Sequence, residues 1–389
     1  MKILFVSHSG KISGGANRSL LGIAKVLKYE YGIEPCILIP EKNSELEKVC
    51  TNEDIKVYIA NYHTCCTVYR HTVKDIIRFG KLFGAPIIDF FIAQKLKNEL
   101  PGDFDLVYTN DRMVVIGGYL SRFWKVPHIW HVRSFSKENE TWYSPGYYQL
   151  MNKYSDRIVV ISNALKNSFN NHIRENKLVL IFNGIDVNDY SISSKVKHEG
   201  INILLTGRIV PPKGQLEAIE ALHVLRIRHG IEAKLYFAGE IPSYESNAYY
   251  DKICRKIKEY QLDMQVEFLG EVNDISNIRA RMDVEIICSW CEAFGRVTIE
   301  AMCSQIPVIG ANSGGTTDII IDGKTGLLYE KGNPEDLAKK IMTICENPEK
   351  VEEFIKAGRE RVDANFTIQR TVGKIVQLLE QVVNGDCEN

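Results

Sequence analysis

The two residues that bear most directly on chemistry are Glu292 and Glu300, with Phe294 and Gly295 between them. An apolar run ends just before them and a helix-like run over 297–303 follows. We therefore expect Glu292 on a strand-to-helix loop, where the helix dipole favours a carboxylate, and Glu300 about two turns into the helix. Two carboxylates beside one crevice suit a polyhydroxylated ligand. A capped helix with one solvated glutamate is the alternative for the pair taken alone.

A second candidate site is the segment from Gly207 and Arg208 to Lys213 and Gly214. The prolines at 211 and 212 prevent a helix before residue 212 and suit a helix that starts just after it. Lys213 then lies at a helix N-terminus, where the dipole disfavours a cation. An anion held by Arg208, Lys213 and backbone N–H groups would account for this arrangement. A solvated turn with two surface cations is the alternative.

Two glycine-rich loops follow predicted strands. Gly314 and Gly315 come after an apolar run at 306–309, and Gly14 and Gly15 precede a predicted helix over 17–28. Glycines in such loops let backbone N–H groups approach an anion closely. The loop with Gly14 and Gly15 lacks the G-x-G-x-x-G spacing of nicotinamide-binding proteins, so an NAD site is poorly supported. Each loop taken singly could equally be a plain turn.

Short apolar runs alternate with longer helical patterns along the whole chain, which indicates parallel strands buried on both faces. The first series of predicted strands is 3–7, 36–40, 57–60, 106–109, 128–131, 157–161 and 178–182. The second series is 201–205, 233–238, 265–269, 284–288, 306–309 and 326–328.

These two series predict an α/β protein with two Rossmann-like, doubly wound domains. We place the N-terminal domain at residues 1–186 and the C-terminal domain at 200–370, joined by a polar linker over 187–200. A C-terminal helix at about 370–389 can pack back on the first domain. Ligands of such sheets bind outside the carboxyl ends of the strands, so we expect the two domains to face each other across one cleft.

Composition narrows the class of protein. The chain has 389 residues and a formal net charge of −1, which gives no overall attraction to nucleic acid. Residues 1–185 carry +7 and the rest −8, and a basic half beside an acidic half suggests an anionic partner. Ten cysteines in a chain of this size do not predict a disulfide scaffold, and Cys288 and Cys291 form an isolated C-x-x-C pair. We expect a cytoplasmic protein without a signal peptide or a transmembrane helix.

Taken in order along the chain, these motifs resemble the retaining, nucleotide-sugar-dependent glycosyltransferases of family 4, which have the GT-B fold. The resemblance runs from residue 1 to about 385. Its most specific parts are the Gly207–Gly214 segment, the Glu292 and Glu300 pair, and Gly314-Gly315 with an acid three residues on. Weaker parts are Gly14-Gly15, Pro127 followed by His131, Ile161-Ser162, and Asn183-Gly184-Ile185-Asp186.

The resemblance implies a role for each matching residue. Arg208 and Lys213 would neutralise the donor diphosphate, Glu292 would bind sugar hydroxyls, and His131 would contact a hydroxyl of the transferred sugar; these four residues are the candidate catalytic residues. Glu300 would bind the ribose hydroxyls. The remaining donor-binding residues that the resemblance implies are Gly14, Gly15, Gly207, Gly239, Val272, Phe294, Gly295, Arg296, Gly314 and Gly315.

Four positions depart from the family pattern. Asp318 follows the paired glycines where glutamate is frequent, and Asn17 replaces the usual acid after the first glycine pair. Arg133 occupies a place where acidic residues are common, and Arg296 one that is often aliphatic. We expect these changes to affect the donor sugar or the acceptor and to leave the phosphate-binding cations in place.

The resemblance implies transfer of a hexose-type sugar from a UDP-sugar, with a GDP-sugar as the alternative donor, to a glycan or lipid-linked acceptor in bacterial surface-polysaccharide assembly. Arg208 and Lys213 would supply what a divalent cation supplies in metal-dependent transferases, so we expect no metal and no other cofactor. Two other functions stay open, namely a nucleotide-sugar epimerase of the same fold and a non-catalytic partner subunit.

A basic stretch in the first half could face a membrane. Arg70, Lys74, Arg78 and Lys81 recur at helical spacing among aromatic and aliphatic residues. Such a helix suits anionic lipid headgroups or a lipid-diphosphate acceptor, and peripheral contact with the inner face of the membrane is the expectation that follows. The solvated face of an ordinary packed helix is the alternative.

Overall fold

The computed structural model describes residues 1–12, 15–68, 74–135, 141–169, 171–190, 192, 195–196, 198–242, 248–272 and 274–385, and the side chains of 68, 74–78, 141 and 142 are not described. The chain forms two compact units. Unit 1 comprises Met1–Gly184 and Ile368–Asn389, and unit 2 comprises Ile185–Thr367.

Unit 1 is built on a seven-stranded parallel sheet. The strands of this unit are β1 (Lys2–Ser7), β2 (Glu34–Ile39), β3 (Lys56–Ile59), β4 (Cys66–Val68), β5 (Leu106–Asn110), β6 (His128–Val132), β7 (Thr141–Tyr143), β8 (Arg157–Val160) and β9 (Leu178–Leu180). The large sheet has the order β3-β2-β1-β5-β6-β8-β9. Its central strands are almost entirely buried, which is why they are mostly apolar in the sequence.

The two strands outside the large sheet, β4 and β7, pair with each other in antiparallel fashion. Sequence patterns did not predict either of them. Each has three residues, and such short segments show neither an apolar run nor a recognisable alternation.

Helices cover both faces of the unit 1 sheet. They are α1 (Gly15–Tyr31), α2 (Glu45–Asn52), α3 (Lys74–Glu99), α4 (Ile116–Trp124), α5 (Tyr147–Tyr154) and α6 (Asn163–Asn167). Helix α1 inserts Leu20, Ile23 and Leu27 into a core that also contains Phe5 and Ile37 from the sheet. Among the described residues, no helix is long and apolar enough to span a bilayer.

Unit 2 is built on a six-stranded parallel sheet with the order β12-β11-β10-β13-β14-β15. Its strands are β10 (Ile201–Thr206), β11 (Ala233–Ala238), β12 (Val266–Gly270), β13 (Val284–Ile287), β14 (Val308–Ala311) and β15 (Leu327–Tyr329). Its helices are α7 (Gln215–His229), α8 (Ala248–Glu259), α9 (Ile275–Arg279), α10 (Arg296–Cys303), α11 (Thr316–Ile319), α12 (Pro334–Glu346) and α13 (Pro348–Asn365).

The last helix, α14 (Ile368–Asn384), belongs to unit 1 although it follows unit 2 in the chain. Its residues Val372, Ile375 and Leu379 are fully buried and join the core that contains Leu20 of α1. The Thr371 hydroxyl donates a hydrogen bond to the Phe182 carbonyl oxygen at 2.9 Å. The apolar face of α14 is therefore covered by unit 1, and unit 1 is discontinuous in sequence.

Every predicted strand corresponds to an observed strand, with ends that differ by up to two residues. The largest shift is at β14, which begins at Val308 instead of residue 306. Gln305 has a φ of 55° and ends the preceding turn, and Pro307 has no N–H to donate to a neighbouring strand. The Pro307 carbonyl oxygen still accepts a hydrogen bond from the Glu285 N–H at 3.1 Å.

The polar segment predicted as a linker is partly structured. Val187–Tyr190 forms a turn of 3₁₀ helix that packs on unit 2. The Ser304 hydroxyl donates to the Tyr190 carbonyl oxygen at 2.8 Å, and the Cys303 thiol donates to the Val187 carbonyl oxygen at 3.2 Å. These contacts fix a segment whose composition alone indicated an exposed connection.

Both sheets have a point where the strand order reverses. In unit 1 this point lies at β1, between β2 and β5, and in unit 2 it lies at β10, between β11 and β13. Crevices form outside the carboxyl ends of the strands at such points, and ligands of doubly wound sheets bind there. The loops that follow β1, β5, β10 and β13 are therefore the first places to look for a site.

We expect Leu379→Ala to destabilise unit 1 strongly, because it leaves a cavity where α14 meets the core. The expected loss in the free energy of unfolding is about 2–5 kcal/mol. Urea unfolding followed by far-ultraviolet circular dichroism measures this. The exposed Gln377 of the same helix provides the control, since Gln377→Ala should change stability little. Equal stability of the two variants would contradict the packing of α14 on unit 1.

Candidate functional site

The ends of β10 and β11 approach each other unusually closely. A Cβ atom at Gly239 would lie 2.0 Å from the Gly207 carbonyl oxygen, so only glycine fits there. The Gly207 N–H donates to the Ala238 carbonyl oxygen at 2.8 Å, and the Gly239 N–H donates to the Gly270 carbonyl oxygen at 2.7 Å. These contacts hold the loop after β10 against the loops after β11 and β12.

The loop after β10 leads to Lys213 through a 3₁₀ turn, Pro211–Lys213, and α7 then begins at Gln215. Gly214 caps α7 with a φ of 73°, and a Cβ there would lie 2.2 Å from the Cys288 carbonyl oxygen. The Trp290 N–H donates to the Pro212 carbonyl oxygen at 2.9 Å. The loop after β10 therefore rests directly on the loop after β13.

This contact brings Lys213 to Glu292, and the two form an ion pair. The Ser289 hydroxyl also donates to Glu292 Oε1, at 2.6 Å. Burial by itself would raise the pKa of the Glu292 carboxyl. The charge of Lys213 and the hydrogen bonds from Lys213 and Ser289 outweigh burial and hold that pKa below its usual value. Glu292 is therefore ionised near neutral pH and fixed in position.

Gly314 and Gly315 pack against the Glu292 loop. A Cβ at Gly314 would lie 2.6 Å from the Glu292 carbonyl oxygen, and one at Gly315 would lie 2.6 Å from the Phe294 Cα atom. The Gly315 N–H donates to the Glu292 carbonyl oxygen at 2.7 Å. The paired glycines thus have a structural reason, which is the close approach of two loops, in addition to the anion contact that their spacing predicts.

Glu300 is the fifth residue of α10, which begins at Arg296, so it lies just over one turn from the helix start and not about two turns in as expected. Its Oε1 atom accepts a hydrogen bond from the Tyr190 hydroxyl at 3.2 Å and lies 3.5 Å from the Arg296 Nε atom. Its Oε2 atom lies 3.8 Å from the Arg279 Nη2 atom. Glu292 and Glu300 therefore have separate sets of partners within unit 2.

The other predicted residues of unit 2 occupy varied environments. The Arg208 side chain is exposed, and its carbonyl oxygen accepts a hydrogen bond from the Gln215 side chain at 2.9 Å. Phe294 is buried against Phe366, with ring centroids 5.8 Å apart, so only its backbone is open to a ligand. Gly295 caps α10 with a φ of 108°. Val272 packs beside a small apolar cluster at the edge of the sheet.

In unit 1, His131 lies at the carboxyl end of β6 and is fully buried. Its Nδ1 atom lies 2.6 Å from the Tyr108 hydroxyl and 3.1 Å from the Arg133 Nη2 atom. Burial, and then the charge of Arg133, hold the pKa of His131 well below its usual value, so the ring is neutral. Its Nε2 atom has no hydrogen-bond partner among the described residues.

The tautomer of His131 follows from these contacts. A guanidinium can only donate, so Nδ1 accepts from Arg133 and the ring proton resides on Nε2. A buried N–H without a partner is costly, and such groups in native proteins usually have a functional explanation. His131 therefore offers one hydrogen-bond donor at the carboxyl edge of the unit 1 sheet.

Arg133, which departs from the family pattern, is bound on the same edge. Its Nε atom donates to Asn110 Oδ1 at 2.6 Å and its Nη1 atom donates to Asn183 Oδ1 at 2.6 Å. The other departure in this unit, Asn17, is also explained. Its side-chain amide donates to the Lys11 carbonyl oxygen at 2.8 Å and ties down the loop after β1.

The glycine loop of unit 1 is described in part. Gly14 lies outside the described residues, and Gly15 is the first residue of α1. Arg70 also lies outside the described residues. Lys74 and Arg78 are in α3, but their side chains are not described, and Lys81 is exposed on the same helix.

Acidic and sulfur-bearing residues with metal-ligand spacing have other partners. Asp103, Phe104 and Asp105 form an Asp-x-Asp triplet, but it precedes β5 at the opposite edge of the sheet. The Lys2 ammonium donates to Asp103 at 3.0 Å, and the Lys2 N–H donates to Asp105 at 2.7 Å. Cys288 is buried and Cys291 is exposed, and both are free thiols. No cluster of His, Cys, Asp and Glu in the described part of the chain has the geometry of a metal site.

Several residues in contact with the predicted site residues escaped sequence analysis. Ser289 binds Glu292, and its position just before the glutamate was the only available signal. Tyr190 and Arg279 approach Glu300 from distant parts of the chain. No periodicity or motif links such residues before the chain is folded.

The sequence matches two family models. The model "Glycosyltransferase Family 4" matches residues 13–189, and the model "Glycosyl transferases group 1" matches residues 186–361. The two matches meet near the boundary between the two units and together cover most of the chain.

Curated relatives have related activities in their names. The chain is 29% identical over 227 residues to the capsular polysaccharide biosynthesis glycosyltransferase CapM of Staphylococcus aureus, covering 54% of this chain and 58% of that protein. It is 24% identical over 241 residues to the N-acetyl-alpha-D-glucosaminyl L-malate synthase of Bacillus anthracis, covering 60% and 61%. The matched region thus spans about three-fifths of the length of these relatives.

Solved structures share the fold over nearly the whole chain. The crystal structure of Anabaena HepE in complex with UDP superposes with a TM-score of 0.79 at 24% identity, covering 98% of this chain and 100% of that one. At this level of identity the likeness establishes a common arrangement of the chain.

We expect Gly214→Ala to disturb the site far more than Gly230→Ala, although both glycines cap α7 at positive φ. An alanine in this conformation costs about 1–2 kcal/mol at either position. At Gly214 the new Cβ also collides with the Cys288 backbone, whereas at Gly230 it meets nothing within 4 Å. Thermal unfolding of both variants measures the difference. Equal melting temperatures would show that the two loops do not rest on each other as described.

Proposed function

The chain belongs to the family 4 glycosyltransferases of the GT-B fold, and from that premise we propose that it is a retaining glycosyltransferase. Its donor is a UDP-sugar of the hexose type, with a GDP-sugar as the alternative. Its acceptor is a glycan or a lipid-linked saccharide, and its pathway is the assembly of a bacterial surface polysaccharide. The name of the CapM relative and the UDP bound in the HepE crystal structure support this assignment.

The observation that carries the proposal is the position of Lys213 and Glu292 at the reversal point of the unit 2 sheet. An ammonium group has three N–H donors, so Lys213 can bind Glu292 and still donate to a phosphate oxygen. The exposed Arg208 lies on the same loop, which follows β10. Two cations on the loop at a reversal point are suited to a nucleoside diphosphate.

The chemistry of the donor accounts for this placement of charge. Breaking the bond between the sugar and the diphosphate leaves negative charge on the diphosphate and positive charge on the sugar. Lys213 and Arg208 stabilise the departing diphosphate, which is the largest catalytic contribution that we assign. Glu292 accepts hydrogen bonds from sugar hydroxyls, and Glu300 accepts them from the ribose.

The acceptor hydroxyl attacks from the face that the diphosphate leaves, so the sugar keeps its configuration. Its proton passes to a departing phosphate oxygen, and no protein base is required. In unit 1 the His131 Nε2–H donates to a substrate oxygen, which satisfies the unpartnered donor of the buried ring. A neutral imidazole suits this role because it adds no charge beside a sugar that becomes positive.

We expect Lys213→Ala and Arg208→Ala each to lower the rate of sugar transfer and the affinity for UDP. A hydrogen bond to a charged group contributes roughly 1.5–3 kcal/mol, which corresponds to about 10- to 150-fold. Isothermal titration with UDP and assays of UDP-glucose turnover measure the two effects. Lys234→Ala, which removes an exposed lysine of the same unit, is the control and should change neither.

Two results would contradict this assignment. One is UDP affinity and turnover close to the starting values in both variants while they remain folded. The other is an epimerised sugar after incubation with the donor alone, since a transferase without an acceptor gives only slow hydrolysis.

Helix α3 supports the proposal of a membrane-bound acceptor. Its buried face contains Leu82, Ala85 and Asp89, and the rest of the helix surface exposes a group of large apolar residues that we call the α3 stripe. The α3 stripe consists of Phe79, Phe83, Ile87, Ile88, Phe90 and Phe91. Large exposed apolar residues grouped on a helix usually meet a partner or a bilayer. The exposed Lys81 beside the stripe favours anionic headgroups.

We expect the protein to bind vesicles that contain anionic phospholipid and to bind less after Ile87→Ser, because Ile87 is 64% exposed in the centre of the α3 stripe. Co-sedimentation with vesicles of phosphatidylglycerol and phosphatidylcholine measures this. Ile227→Ser is a matched control, since Ile227 is also 64% exposed but lies in unit 2. Absence of binding by the unchanged protein would refute membrane contact, and equal losses in both variants would place it away from α3.

A further inference from the structure

Unit 2 contains a buried ion pair that the proposed reaction does not use. Arg279, at the end of α9, and Glu285, in the central strand β13, have no exposed surface. The Arg279 Nε atom donates to Glu285 Oε2 at 2.8 Å, and its Nη2 atom donates to Glu285 Oε1 at 3.2 Å. This is the two-bond geometry in which arginine binds a carboxylate most strongly.

Such a pair contributes little to stability by itself. Removing two charges from water is expensive, and replacing a buried pair by apolar residues of similar size is often neutral or stabilising. The neighbours of Glu285 in β13, Val284 and Ile286, are apolar and buried. An apolar pair would therefore serve the core at least as well, so the charges require a different explanation.

The position of the Arg279 guanidinium explains why the buried charges are present. The Arg279 Nη2 atom that binds Glu285 also lies 3.8 Å from Glu300 Oε2, and the Arg279 Nη1 atom has no partner among the described residues. The Tyr190 ring lies against the same guanidinium at 5.9 Å, and its hydroxyl donates to Glu300 Oε1. Glu300 thus has a fixed cation beside one carboxylate oxygen and a fixed donor on the other.

We infer that Arg279, anchored by Glu285, is a positioning residue that holds the Glu300 carboxylate oriented to accept hydrogen bonds from the two hydroxyls of the donor's ribose. The inference rests on the proposed function, in which Glu300 binds the ribose. Arg279 itself does not touch the nucleotide. Arg279 affects only the ribose contact, because it orients Glu300. The diphosphate contacts of Lys213 do not depend on it.

The test compares binding of UDP with binding of 2′,3′-dideoxy-UDP by titration calorimetry. Arg279→Met alone leaves Glu285 buried without a partner and can unfold the protein, so the main variant is the double substitution Arg279→Met and Glu285→Leu. The unchanged protein should bind UDP roughly tenfold or more tighter than the dideoxy analogue. In the double variant UDP affinity should fall until this preference is about threefold or less, with affinity for the analogue unchanged.

A purely structural role predicts a different pattern, in which both nucleotides lose affinity by the same factor. That result, or a preference for UDP equal to that of the unchanged protein, would overturn the inference. Arg226→Met is the control, because Arg226 is also an arginine of unit 2 but donates to the backbone carbonyl oxygens of Tyr260 and Gln261 instead of to a carboxylate. It should leave the preference unchanged.

Glu300→Gln separates this inference from the proposed function. If Glu300 binds the ribose, this variant should lose the preference for UDP over the dideoxy analogue. If Glu300→Gln keeps the preference, the ribose assignment is wrong, whatever Arg279 does. If Glu300→Gln loses the preference and the double variant retains it, the ribose assignment stands and the role of Arg279 is refuted.

Discussion

The ion pair between Lys213 and Glu292 is the interaction on which the carboxyl edge of the unit 2 sheet depends. It exists because β10 and β13 are neighbours in the sheet, so that the loops leaving them meet. Both side chains are largely removed from water, where an isolated charge is costly. Each charge therefore compensates the other, and Ser289 adds a hydrogen bond that fixes the carboxylate. Neither residue can change without leaving its partner uncompensated.

The same principle applies to Glu300. Glu292 is held by a cation from the loop after β10, and Glu300 lies beside a cation from the end of α9. In both cases a neighbouring cation orients the carboxylate before any ligand arrives. Groups that are fixed in advance need no reorganisation when charge develops in a reaction, which is the main source of electrostatic catalysis. Unit 2 therefore supports its two glutamates with separate cations.

Much of the fold could be predicted from the sequence, for a simple physical reason. Parallel strands buried on both faces are mainly apolar, and the fully buried run at 3–6 shows this directly. The short strands β4 and β7 lack that signal. The turn that contains Tyr190 appeared to be a linker because its contacts are with residues far along the chain.

The candidate site likewise contains residues that the sequence predicts and contacts that it does not. Lys213, Glu292 and Glu300 stand out because charged residues flank apolar runs at recognisable spacings. The Lys213 contact with Glu292 depends on the order of strands in space, which spacing along the chain does not contain. Arg279 was missed because a charged residue in a short helix ordinarily indicates an exposed surface, whereas here it is fully buried.

Unit 1 differs from unit 2 in the charge at the carboxyl edge of its sheet. Unit 2 has two carboxylates there, whereas unit 1 has the neutral His131 ring, whose Nε2–H is a hydrogen-bond donor. The positive charge of Arg133 is directed at the amide oxygens of Asn110 and Asn183 and at His131 Nδ1. A carboxylate in the place of Arg133 would accept a hydrogen bond from Nδ1 and would leave Nε2 as an acceptor. With arginine at this position, the buried His131 Nε2 atom is a hydrogen-bond donor instead. A change of charge two residues away thus determines whether this atom donates or accepts a hydrogen bond.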